Sequence, residues 1–135
     1  MKYWFFSVKL ITIVAIAFMQ NRLLAAPLNT QIQGSSGGSV ASKNCGFIGA
    51  RPNYTISLSE RTDYLRMLVE ADGGKPTLLV IGPKAEDSFC VLGDLSAGLN
   101  PEISGVWEPG NYQVYIGDRS GEAHQFTLSI STNKN

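Results

Sequence analysis

The sequence predicts an all-β domain, an antiparallel β-sandwich, and three observations carry that prediction. Apolar residues recur at every second position in four separate stretches, the period of a strand with one buried and one wetted face. Turn sequences rich in glycine and proline stand between these stretches, about 8–12 residues apart. Six or more short strands punctuated in this way make a sandwich. No internal repeat is visible.

Residues 1–25 differ in kind from the rest of the chain. Lys2 and Lys9 lead into an apolar run from Leu10 to Met19, and a small-residue exit stands at Leu23-Leu24-Ala25-Ala26. That order of regions reads as a helical secretory signal peptide, cleaved after Ala25. An uncleaved anchor is the alternative, but the run falls short of the roughly 20 residues a spanning helix needs. No stable membrane span is therefore expected after cleavage. Residues 26–43 contain four Ser and three Gly with little to bury, so they read as a disordered, flexible tether. The sandwich domain is expected over residues 44–132.

Within the domain, Tyr54, Ile56 and Leu58 alternate with polar residues, as do Leu65, Met67, Val69 and Ala71 with Tyr64, Arg66, Leu68 and Glu70. Tyr112, Val114 and Ile116 form a third alternating set, and Phe126, Leu128 and Ile130 a fourth. Thr77 to Ile81 is apolar on both sides and reads as a central strand; Ser88 to Leu92 adds another. Glu60 to Arg66 offers one or two helical turns at most. Asp72-Gly73-Gly74-Lys75 and Gly82-Pro83-Lys84 are turns. Pro109-Gly110 carries a type II turn signal with positive φ at the glycine. Asp118-Arg119-Ser120-Gly121 reads as the hairpin joining the last two strands.

Charge and cysteine usage narrow the function. Losing residues 1–25 removes three of the eleven basic side chains and none of the eleven acidic ones, leaving a net charge of −3. No Lys/Arg cluster survives, which excludes a nucleic-acid binder working by phosphate neutralisation. Cys45 and Cys90 are the only cysteines, and an even count in an exported chain reads as a disulfide. The bond closes a loop worth about 4 kcal/mol on the chain-entropy model.

Candidate sites are few. A hydrolase needs a nucleophile beside an oriented base, yet His124 is the sole His and reads as a hydrogen-bonding residue at a strand end. The adjacent pair Glu86-Asp87 reads as a solvated turn. The loop from Gly93 to Glu102 brings Asp94, Ser96, Asn100 and Glu102 close in sequence, with oxygen donors of the kind calcium takes. A polar loop is the plain reading of this stretch. Asp94, Asn100 and Glu102 remain weak calcium candidates, and no other cofactor is indicated. Trp107 and Tyr115 are the candidate ligand-binding aromatics. Tyr115 is out of phase with its apolar neighbours and so points to the other face, while Trp107 reads as a core residue in the alternative.

Several segments carry a family resemblance: Asp63-Tyr64-Leu65-Arg66; Pro76 to Pro83; Phe89-Cys90; Trp107 to Asp118 (WEPGNYQVYIGD); and His124 to Ile130 (HQFTLSI). Together they resemble the bacterial pre-peptidase C-terminal-like domain, and more closely a group of small secreted bacterial proteins with that layout. The family's marks are a D-x-x-L-x-V type strand, a P-x-G-x-Y-x-V-x-V strand and a closing Y-T-L-x-I strand. Here Pro109 and Gly110 are adjacent, and Phe126 replaces the tyrosine. The resemblance implies a jelly-roll-like sandwich, usually appended to secreted peptidases. No peptidase sequence accompanies it here, so the expected role is a non-catalytic secreted or periplasmic module. It would bind polysaccharide or an envelope protein, or serve as a structural unit of the envelope. The alternative is a stand-alone accessory domain acting with a secreted peptidase.

Overall fold

The computed structural model describes residues 28–134. The expected signal peptide at residues 1–25 lies outside them. Ten strands run in chain order: β1 (Asn29–Ser35), β2 (Val40–Ala41), β3 (Phe47–Ile48), β4 (Tyr54–Leu58), β5 (Thr62–Ala71), β6 (Pro76–Ile81), β7 (Phe89–Leu92), β8 (Glu102–Trp107), β9 (Gly110–Asp118) and β10 (Gln125–Ser131). They form two antiparallel sheets. The first has the order β1-β10-β5-β8; the second has the order β2-β3-β9-β6-β7, with β4 also on β9. The all-β sandwich read from the sequence is the fold observed.

The alternating stretches behave as their period dictates. Leu65, Met67 and Val69 from β5, Val114 and Ile116 from β9, and Leu128 and Ile130 from β10 are fully buried between the sheets. Leu78 and Val80 from β6 join them. Each such side chain contributes about 1.5–3 kcal/mol by leaving water. β6 is central, between β9 and β7. Its outer face is covered at Thr77, whose hydroxyl donates to the Cys45 carbonyl at 2.8 Å, and is open at Ile81.

The tether expected over residues 26–43 is corrected by β1. Asn29 to Ser35 pairs along its whole length with β10, from Asn29↔Ser131 to Ser35↔Gln125. Its inward positions are Thr30, Ile32 and Gly34, a set too small to announce a strand. Backbone pairing holds it in place of apolar bulk. Gly34 suits its position, because a Cβ there meets the Phe126 ring at 2.9 Å. The Ser-Gly stretch after β1 is a built corner. Ser36 is buried; it donates its N–H to the His124 carbonyl and accepts the His124 N–H on Oγ.

Three further expectations are corrected. The helical start at Glu60–Arg66 is strand from Thr62 onward, with a bulge between Thr62 and Leu65 that breaks the pattern in phase. Asp118–Gly121 is not a hairpin, because β9 and β10 lie in different sheets. Six of the nine connections cross between sheets in this way, the layout the jelly-roll-like expectation implies, and period two is blind to the crossing. Gly110 has positive φ, but at 143° and not near the roughly 80° of a type II turn. β8 adds a strand without a sequence signal of its own: its inward residues are Ile103, Gly105 and Trp107, interrupted by a glycine.

Cys45 and Cys90 form the disulfide, with Cα atoms 5.7 Å apart. It pins the turn before β3 onto edge strand β7, across the outer face of the second sheet.

Candidate functional site

The two aromatic candidates are not brought together. Trp107 is buried in the core, 4 % exposed. It stacks edge-on against Phe89 (5.5 Å between centroids) and Tyr112 (4.8 Å), and Tyr112 donates its hydroxyl to the Glu108 carbonyl at 2.7 Å. Trp107 therefore offers no surface to a ligand. Tyr115 does point outward, half-buried on the second sheet opposite Leu79.

The calcium candidates have partners of their own. Asp94 Oδ1 accepts from Ser96 N–H at 3.1 Å and Ser96 Oγ at 2.6 Å, and the Ser96 hydroxyl holds its carboxyl below the usual range. Glu102 accepts from Arg66 Nε at 2.6 Å across β5 and β8. Asn100 is exposed in the loop between. Among the described residues no group of three or more His, Cys, Asp or Glu is placed to hold a metal ion.

His124 sits at the start of β10, its ring facing two carboxylates: Asp72 at 3.6 Å and Glu122 at 3.3 Å. Both contacts are exposed carboxylates that flank the ring. Glu86 and Asp87 lie in a single turn of 3₁₀ helix, Ala85–Asp87, with no buried residue.

Asp118, which reads in the sequence as an ordinary turn residue, is a fully buried carboxylate that ties two crossings together. Oδ2 accepts from Lys75 N–H at 3.0 Å, and Oδ1 accepts from Ser120 N–H and Oγ at 2.8 and 2.7 Å. Desolvation pushes its pKa up, but the Ser120 and Lys75 hydrogen bonds outweigh it and hold the carboxyl below the ordinary value. Its partners are all structural.

Among the described residues, two concave regions stand out. A cleft of about 400 Å³ runs between Leu28, Thr132 and the β4–β5 corner; its one cation, Arg61, is engaged by Asp63 and Glu108. The second, about 360 Å³, lies on the outer face of the first sheet, lined by Gln33, Glu70, Asp72, Gln125 and Thr127 among others. Strand pairing makes this face regular. Gln31 stands opposite Ser129 and then Leu68; Gln33 stands opposite Thr127 and then Glu70. The residue types are legible in the sequence, but their adjacency depends on β1, which composition conceals.

No family model matches the chain. It is 41% identical over 139 residues to an uncharacterized protein of Synechococcus elongatus, with 97% of this chain and 98% of that protein covered. In structure it is similar to the pre-peptidase C-terminal domain of a collagenase from Bacillus anthracis, with a TM-score of 0.55 at 19% identity, over 76% of this chain and 89% of that one. That likeness is one of fold, and it bears out the resemblance read from Trp107–Asp118 and His124–Ile130.

Proposed function

For this chain, which belongs to one family with the Synechococcus elongatus protein, we propose the role of a non-catalytic, secreted β-sandwich that binds a component of the cell envelope. The observation that carries this reading is the outer face of the first sheet, an open hydrogen-bonding surface on a scaffold whose other reactive groups serve structure. His124 faces carboxylates, Asp118 anchors two turns, and Asp94 caps its own loop. The Cys45–Cys90 bond supports an oxidising destination. The test is fractionation of producing cells with intact-mass measurement and sedimentation with envelope fragments. The expected result is a chain that begins at Ala26, lies outside the cytoplasm and cosediments with the fragments. A full-length cytoplasmic chain that stays in the supernatant overturns the proposal.

A second reading has its own support. The structural likeness is to a domain carried by a collagenase, which favours an accessory unit acting with a secreted peptidase. Co-purification of the exported chain with a peptidase, together with a change in that peptidase's rate, distinguishes it from the first.

A further inference from the structure

We propose that the outer face of the first sheet is a trough for an uncharged, linear polysaccharide, an inference that rests on the envelope-binding reading above. The shape comes from side-chain length. β10 is an inner strand of its sheet and presents Thr127, Ser129 and Ser131 outward, a low floor. On one side stand Gln31 and Gln33 of β1, and on the other Arg66, Leu68 and Glu70 of β5. At about 3.4 Å per residue, the floor from Thr127 to Ser131 is roughly 14 Å long, enough for a short run of sugar rings. At the Gln125 end it meets the shallow concave region lined by Gln33, Glu70, Gln125 and Thr127.

The chemistry of the surface selects the ligand. Along β1 and β10 the outward side chains are Asn29, Gln31, Gln33, Ser35, Gln125, Thr127, Ser129 and Ser131, without a single charge. Amides and hydroxyls both donate and accept, as sugar hydroxyls do. Gln31, Gln33 and Gln125 are exposed and Thr127 and Ser129 half-buried, so these groups face solvent. Arg66, the cation on the β5 wall, is engaged by Glu102 at 2.6 Å, and Lys134, beyond Ser131, lies over the Tyr64 ring at 5.7 Å. An acidic polymer therefore finds no unengaged cation along the floor or its walls, and it meets Glu70 and Asp72 at the Gln125 end of a domain with net charge −3. A protein partner calls for a buried aromatic or aliphatic anchor at the centre of its interface; the floor has only hydroxyls, and the β5 wall offers the single half-buried Leu68 beside Ser129. A neutral, hydroxyl-rich chain matches both the charge and the hydrogen-bonding pattern.

The test uses the exported chain and envelope fragments of the producing cells, untreated, protease-treated or periodate-oxidised. Binding should survive protease and be lost on oxidation of the sugar diols. Gln33→Ala and Thr127→Ala, both on the surface, should each weaken binding about fivefold, and the pair by roughly 25-fold. Their circular dichroism should match that of the unsubstituted chain. Binding that disappears with protease overturns the polysaccharide while leaving the envelope reading standing. Variants that bind as tightly as the parent, or a loss seen instead with Tyr115→Ala on the opposite sheet, overturn the trough. No binding to untreated fragments overturns the envelope reading itself.

Discussion

Replacing Gly110 with valine tests how the chain corner before β9 is held. Gly110 lies at φ 143°, a backbone conformation open to glycine and strained for a β-branched residue. A Cβ built there sits 2.7 Å from Pro83 Cγ and 3.0 Å from Pro83 Cβ. The backbone strain costs about 1–3 kcal/mol. Moving the Pro83 ring adds about 1 kcal/mol, the low end for overpacking, because Pro83 is in an exposed loop that can yield. A total of about 2–4 kcal/mol lowers the melting temperature of a domain this size by on the order of 10 °C. The register of Tyr112, Val114 and Ile116 starts at this corner, and Trp107 packs directly on Tyr112. Thermal unfolding followed by circular dichroism and by Trp107 emission should therefore report the loss together. Gly105→Ala is the control, since a Cβ at Gly105 meets nothing within 4 Å. A valine variant that melts with the unsubstituted chain, or an alanine control that falls as far, refutes the reasoning.

Titration of unfolded, non-reduced protein should find no reactive thiol, and Cys45→Ser should cost about 2–5 kcal/mol of stability. Hydrogen exchange should show the backbone amides of β1 that pair with β10 to be protected, and fast exchange along Asn29–Ser35 would contradict the strand. Asp118 titrates below the ordinary carboxyl value when folded, so its contribution is complete above about pH 4 and is lost as pH falls through its folded pKa. Asp118→Asn should flatten that acid-side loss while costing about 1–3 kcal/mol at neutral pH, where the Lys75 and Ser120 donors lose their charged acceptor; urea unfolding across pH measures both.

The strands that supply the core are legible because burial on one face imposes its own period. Leu65, Met67 and Val69 announce β5 in the sequence, as Phe126, Leu128 and Ile130 announce β10. β1 and β8 are not legible, for one shared reason. Their inward positions include Gly34 and Gly105, and their place in the sheet comes from backbone pairing with a neighbour that local sequence does not name. Sheet membership is hidden for a different reason: a turn such as Asp118–Gly121 serves equally to close a hairpin or to cross between sheets. Both effects bear on the site. The phase of Tyr115 places it outward, as observed, while Trp107 is core. The trough is invisible in the sequence, because Thr127 and Ser129 of its floor stand 94 and 98 residues from Gln33 and Gln31 of its wall.

The central claim is that the exported chain binds through the outer face of the first sheet. Backbone chemical-shift mapping of the isotopically labelled exported chain, titrated with solubilised envelope polysaccharide of the producing cells, tests it most directly. Saturable shifts are predicted at Gln31, Gln33, Thr127, Ser129 and Glu70, with Leu79, Ile81 and Tyr115 unmoved. Shifts centred on Tyr115 or on the Tyr54–Leu58 cleft, or no shifts at all, would contradict it.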